Sequence, residues 1–519
     1  MCSQLTAMGG EGLETPKTFA TKAVADAVED VGFGLYQLVP LFLTGGIFLA
    51  EGAEMLIMGS ITSLLHRHWD LNPVIRGGMV SIVFIGFSAG NFLSGQIGDR
   101  FGRRASILVS YMMIAFFGFA TACSGGPALM LCLRFFVGAG CGIGFPAAYS
   151  LMPEVAPASW RSSLSTLMIG FMPLGELIGA LVVLFVDPEL DNSARGCSAS
   201  SYYPARALQE PELCAWRTLC EMSAIPAFFF LVLAGKFLDE SPQFLASCGR
   251  YDECEQVLQR MATLNGSQLD VDKLRAAFAS DAPGEDASPA SPSRNYSFLS
   301  AVSLLWEKYL YVAAFMCLAH VAKDFSVFGL SYMLPQYFAF LKGLVAGVEL
   351  LVVATLALPG VALTYLCSRI GGVSLVYLMS ASGAFGSFFA LGMLQGVPVG
   401  IAAPAAYLVK IFAMSFFVFT VAYTAAAFPT HVRQTAVGFC TAAGRLGSIS
   451  APLVFELSKS MTGRFDFFIG CLITLLASVA VAAPLALPKW GCFDIQAEES
   501  AQALVKDGKE GYGSTKSCA

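Results

Sequence analysis

Glu51 and Glu54 stand three residues apart in an otherwise apolar run near 36–65, a spacing that places both carboxyls on one face of a helix. Desolvation favours the neutral form of a carboxyl, which suits a group that must load and release a proton. Arg134, in a run near 128–152, is the base that would neutralise Glu51 if its role were structural. A run near 308–340 carries His320, Lys323 and Asp324. His320 and Asp324 lie one turn apart, and histidine titrates near neutral pH, so the set reads either as a proton relay or, if the span starts later, with Lys323 and Asp324 near an outer mouth. Glu176, Lys410 and Arg445 complete the set of charges inside apolar runs. Acids and bases nearly balance among them, so the charge of a ligand is left open.

A different chemistry is written in Gly95-Gln-Ile-Gly98-Asp99-Arg100-Phe-Gly102-Arg103-Arg104. Glycines allow a tight turn and close helix approach, while Asp99 and the arginines offer charge-assisted bonds. Glu154 and Arg161 are placed to reach the same face and complete a network, with Arg433 as the counterpart of Arg161 later in the chain. The plainer alternative is that these arginines merely set topology.

These side chains must be held by apolar elements. Of 519 residues, 56% are hydrophobic and only 13% charged, against roughly 25% charged in soluble proteins. Apolar runs of about 20 residues, enough to cross ~30 Å of hydrocarbon, fall near 36–65, 77–98, 104–123, 128–152, 163–186 and 218–238, then near 308–340, 345–367, 373–394, 399–427, 435–458 and 467–487. An ionisable group inside such a span costs ~2.5–3.5 kcal/mol or more, so each one above is a functional candidate. The fold class is therefore an all-α integral membrane protein with twelve spans. A tail over 1–35, a six-helix bundle over 36–239, a polar linker over 240–305 with a short helix near 251–263, a second bundle over 306–487 and a tail over 488–519 make up the organisation.

Arg100, Arg103, Arg104, Arg161, Arg369 and Arg433 occupy alternate short loops, which puts both termini and the linker in the cytoplasm. Arg67, Arg76, Lys342 and Arg464 oppose this bias without reversing it. The loop 187–217 then faces outward, where Cys197 and Cys214 form a disulfide or remain free thiols. On this topology the sequons at Asn265 and Asn295 escape glycosylation. The first 35 residues lack the basic start and apolar stretch of a cleavable signal. Most of the fifteen cysteines sit in apolar runs as small buried residues, and none has zinc spacing, so no metal or cofactor is expected. The net charge of −6 carries no basic run for nucleic acid. No Gly-x-x-x-x-Gly-Lys-Ser/Thr loop supports nucleotide-driven work, and no catalytic constellation marks an enzyme.

The two halves repeat. Arg134-Phe-Phe-Val leads to Tyr149, Glu154-Val-Ala-Pro157, Arg161 and Leu174-Gly175; Lys410-Ile-Phe-Ala leads to Tyr423, Ala426-Ala-Phe-Pro429, Arg433 and Leu446-Gly447 at like spacing. Duplicated bundles around a midplane site are a common design of transporters. The Gly95–Arg104 pattern resembles the loop signature of the major facilitator superfamily. Asp239-Glu-Ser-Pro-Gln-Phe244 resembles a segment of its sugar and organic-ion branches. Val31-Gly-Phe-Gly34 with Ala50-Glu-Gly-Ala-Glu54-Met resembles the synaptic vesicle 2-related proteins, and Phe428-Pro-Thr-His-Val-Arg433 with Gly444-Arg-Leu-Gly447 resembles both that group and the organic-ion branch. The likeness covers about residues 30–490. Two departures stand out: the second loop motif survives only as Cys367-Ser-Arg369-Ile-Gly-Gly372, and Ala426 replaces the usual glutamate.

What the resemblance implies is secondary transport of a small organic ion or metabolite by alternating access through a lipid bilayer, with a monomer sufficient. The cavity would be lined by the first, fourth, fifth, seventh, tenth and eleventh spans, and Phe325, Tyr332, Phe416 and Tyr423 would line it or pack. Proton coupling is expected at Glu51. A sugar or polyol is the alternative solute, and a non-transporting vesicle protein the alternative role. The plasma membrane and an intracellular vesicle both remain open.

Overall fold

The computed structural model describes residues 16–69, 71–190, 215–280, 309–341, 344–369, 375–428 and 430–486. Cys197 and Cys214, Asn295 and the loop remnant at 370–374 lie outside these residues, as do the side chains of Asp99, Arg369 and Arg433. The described elements are helices: α1 Pro16–Val31, α2 Leu35–Trp69, α3 Pro73–Phe101, α4 Arg103–Ala122, α5 Pro127–Val155, α6 Ala158–Ile169, α7 Phe171–Val186, α8 Ala215–Phe237, α9 Pro242–Ser247, α10 Tyr251–Asn265, α11 Val271–Ser280, α12 Leu310–Phe340, α13 Ala346–Arg369, α14 Leu375–Ala390, α15 Val399–Ala427, α16 Thr430–Thr462 and α17 Asp466–Ala486.

Among the described residues, twelve stretches are long and apolar enough to cross a membrane, from Leu35–Leu65 to Asp466–Pro484. Helix is forced on them because hydrocarbon offers no partner for a backbone N–H or C=O. The fifth span, Ala158–Val186, is broken into α6 and α7 at Gly170. Pro173 explains the break, having no N–H for the carbonyl of Ile169.

The chain divides into two units, one holding Met1–Leu71 and Ile82–Asn295, the other Asn72–Ser81 and Tyr296–Ala519. Each is built on the same pairings. In the first unit α2 packs on α7, and α4 on α5 and α8; in the second α12 packs on α16, and α14 on α15 and α17. The repeated glycines sit at the closest of these approaches. A Cβ at Gly175 would lie 2.0 Å from the Leu49 carbonyl of α2, and one at Gly447 2.3 Å from the Val321 carbonyl of α12. Without strong hydrophobic drive between helices in lipid, such small-residue contact supplies the packing.

The stretch after α8 departs from the expected linker with one short helix. It contains α9, α10 and α11, with Leu245, Leu258, Met261, Leu274 and Phe278 buried. Their apolar partner is α1, in the stretch read as a tail, whose Ala20, Val24 and Val28 are buried and which contacts α9, α10 and α11. Neither segment has enough apolar surface alone, so local composition could not reveal the pairing. Asn265 ties this layer to α2: its Oδ1 accepts from Tyr36 N at 2.9 Å and its Nδ2 donates to Gly32 O at 3.0 Å.

Candidate functional site

In the first unit Glu51 and Glu54 are buried, 1% and 2% exposed. Arg134, 0% exposed, pairs with Glu54: its Nη1 donates to Glu54 Oε2, and its Nη2 lies 3.5 Å from Cys220 Sγ. Ser223 Oγ donates to Glu54 Oε1 at 2.8 Å. One carboxylate thus joins α2, α5 and α8. Three residues of α-helix place Glu51 about 60° around the axis from Glu54, enough to aim it elsewhere. The structural pairing that the sequence offered to Glu51 falls to Glu54. Glu176 is 1% exposed on α7, in the seam with α2, where a Cβ at Gly52 would lie 3.1 Å from the Glu176 N.

In the second unit α12 carries His320, Lys323 and Asp324, all buried, between a third and a half of the way along the helix. Lys323 Nζ donates to Asp324 Oδ1 at 2.5 Å, and Arg445 Nη1 of α16 stands 3.9 Å from Asp324 Oδ2. Gly444 makes that approach possible, since a Cβ there would lie 2.8 Å from Asp324 Oδ2. Lys323 also lies over the Phe417 ring at 4.3 Å. Lys410 of α15 donates to Ser331 Oγ at 2.8 Å. His320 Nε2 meets Thr424 Oγ1 at 2.8 Å, while that hydroxyl donates to Thr420 O at 2.7 Å. The expected relay between His320 and Asp324 is not formed; Thr424 of α15 engages one, Lys323 the other. Of the proposed aromatic lining, Phe325 stacks on Phe468 at 5.1 Å, the Tyr332 hydroxyl donates to Glu456, and Phe416 and Tyr423 are buried.

The loop network is partly assembled. Arg103 Nη2 lies 3.3 Å from Glu154 Oε1, its Nη1 donates to Gly98 O at 3.1 Å, and Ser150 Oγ donates to Glu154 Oε1 at 2.7 Å. Arg161 Nε donates to Ala156 O at 3.0 Å, and its expected part in the network with Asp99 lies outside the described side chains. Arg100 is exposed, its guanidinium 5.4 Å from the Phe101 ring, and Gly95 is exposed with open space around its α-carbon. Arg104 Nη2 donates to Gly235 O at 2.8 Å. Glu240 was not singled out, yet its Oε1 accepts from the backbone N–H groups of Arg103 at 2.8 Å and Arg104 at 3.2 Å. It caps the positive end of α4. Gly102, at φ 95°, is required there, because a Cβ would lie 2.1 Å from Glu240 Oε2.

Sequence reasoning also missed Glu456, 0% exposed in α16 and bonded to Arg76. The criterion that selected Glu51, an acid inside an apolar run, applies to it equally.

The model of the sugar (and other) transporter family matches residues 36–486. The synaptic vesicle 2-related protein of Xenopus laevis is 26% identical, covering 98% of this chain and 90% of that protein. The niacin transporter NiaP of Acinetobacter baylyi is 26% identical, covering 88% of this chain and 94% of its own. Among solved structures, the partially occluded inward-open xylose transporter XylE of E. coli superposes with a TM-score of 0.65 at 18% identity, over 86% of this chain and 97% of that one.

Proposed function

Because this chain belongs to the sugar (and other) transporter family, and its relatives are membrane transporters rather than enzymes, we propose that it carries a small carboxylate-bearing organic solute by alternating access, coupled to protons at Glu51. The observation that supports this solute class is charge in the second unit. Lys323, Lys410 and Arg445 are buried there at 3%, 2% and 6% exposure, the first and last of them beside Asp324. A carboxylate arriving among these cations gains charge-assisted bonds. The niacin transporter among the relatives is compatible with that class.

Glu51 is the coupling candidate as a carboxyl 1% exposed within the first span. Loading a proton on Glu51 changes the charge of the interior without dismantling the Glu54 pair. Glu176, across the α2–α7 seam, is the second carboxyl of this role. Arg103, Glu154 and Glu240 brace the Gly95–Arg104 turn, with Asp99 its remaining acid, as the gate at that membrane face. The positive-inside bias puts this face, both termini and the α9–α11 layer in the cytoplasm. A sugar is the second reading, favoured by the family's range.

The test is proton movement in proteoliposomes challenged with organic anions, organic cations and sugars, with Glu51→Gln beside wild type. A pH change driven by an anion and lost in Glu51→Gln is expected. Movement of a sugar or cation instead would replace the solute class. Solute entry without protons would remove the coupling role, and silence across the panel would favour a non-transporting vesicle component.

A further inference from the structure

Two thiols of the second unit stand face to face in the seam between α12 and α16, and the transport reading uses neither. Cys317 Sγ donates to Cys440 Sγ at 3.9 Å, and Cys440 Sγ donates in turn to Ala313 O at 3.9 Å. Their nearness follows from the helix faces that carry them. Cys440, Gly444, Gly447 and Ala451 recur at helical spacing and form one stripe of α16; Cys317, Val321 and Phe325 form the facing stripe of α12. The stripes meet closely. A Cβ at Gly444 would lie 3.1 Å from His320 O, one at Gly447 2.9 Å from Phe325 N, and one at Gly329 3.0 Å from the Ala451 Cβ. One turn before Gly444 the gap is filled by the two thiols. A disulfide holds its sulfurs ~2.05 Å apart. The pair thus has about 2 Å to close, which turning one side chain about its Cα–Cβ bond can cover.

The two cysteines differ in access. Cys440 is buried, while Cys317 is half-buried. Their sequence neighbours Leu318 and Phe439 are exposed, and both lie inside the spans Leu310–Phe340 and Ala436–Thr462. The way in is therefore across an apolar, acyl-chain surface, which a charged oxidant enters only at high cost. A neutral hydroperoxide does not carry that cost.

We propose that Cys317 and Cys440 form a redox modification site whose substrate is a neutral hydroperoxide and whose product is a disulfide joining α12 to α16. The more accessible thiol reacts first. The Cys317 sulfur attacks the terminal peroxide oxygen: an S–O bond forms, the O–O bond breaks, and the other oxygen leaves as an alcohol, or as water, with the thiol proton. The Cys440 sulfur then attacks the Cys317 sulfur: the S–S bond forms, the S–O bond breaks, and the hydroxyl leaves as water with the Cys440 proton. Two thiols give up two electrons and the peroxide accepts them. The link holds α12 against α16 two turns before Asp324 and its contact with Arg445. Oxidation thus fixes the seam that carries the charges of the second unit, whatever solute those charges serve.

The test uses wild-type protein in lipid nanodiscs, treated with cumene hydroperoxide or with hydrogen peroxide. Free thiols are then alkylated in denaturant and the peptides read by mass spectrometry. A Cys317–Cys440 crosslink that a reducing agent reverses, with loss of both alkylated thiols, is expected. The crosslink supports the site with either reagent; a lower threshold for cumene hydroperoxide assigns the acyl-chain side as the source of oxidant, and a lower one for hydrogen peroxide the aqueous side. Cys440→Ser should leave Cys317 to advance to sulfinic acid, while Cys317→Ser should leave Cys440 a thiol. Oxidised wild type should melt at a higher temperature than reduced, a shift that both serine variants should lack. Cys132, exposed within its own span, reports that the reagent acts there. Oxidation of Cys132 with Cys317 and Cys440 still fully alkylated would overturn the proposal, as would a crosslink from Cys317 to any cysteine other than Cys440.

Discussion

At the scale of single residues, identity was readable and partnership was not. Every acid and base chosen from apolar runs is buried, since a charge inside a span has few reasons to be there except function or pairing. Which of Glu51 and Glu54 takes Arg134 depends on about 60° of helix azimuth and on Ser223 and Cys220, more than 160 residues away in sequence. No spacing rule carries that. The pair has a measurable consequence. Arg134→Ala leaves the Glu54 carboxylate buried without its cation, at a cost of about 3–5 kcal/mol. Purified protein should therefore lose thermal stability sharply. Glu54→Leu with Arg134→Met should recover most of it, because an apolar pair of like volume replaces a desolvated ion pair at little cost. An unchanged midpoint in Arg134→Ala would mean that water reaches the pair.

At the scale of elements, the twelve spans were legible because the bilayer demands length and hydropathy together, and both are local. The layer formed by α1, α9, α10 and α11 was not, because its apolar stripes are short and complete each other across more than 200 residues. Cys254 and Cys248 report on that layer. Burial pushes the Cys254 thiol up to about 12, while Cys248 is exposed. At pH 8 a maleimide should label Cys248 readily and Cys254 slowly, and Cys248→Ser should remove most labelling of the α9–α11 peptides. The neutral thiol is the form that the fold favours. Its contribution is complete below the ordinary thiol range near 8.5 and declines as pH rises toward 12. Equal labelling of the two thiols at pH 8 would mean that α10 does not pack as described.

At the scale of the whole molecule, duplication was the most informative pattern, and its meaning became mechanical only with coordinates. Gly175 and Gly447 recur at equal distance from Pro157 and Pro429, and both prove to be seats where one helix backbone meets another. If both seats hold equivalent halves of a duplicated bundle, Gly175→Val and Gly447→Val should each lower the thermal midpoint of purified protein, because a Cβ at either position meets a carbonyl of the facing helix at 2.0 Å and 2.3 Å. A midpoint unchanged in Gly447→Val, beside a lowered one in Gly175→Val, would show that the α12–α16 seam relaxes where the α2–α7 seam does not, and the equivalence of the two seats would fall.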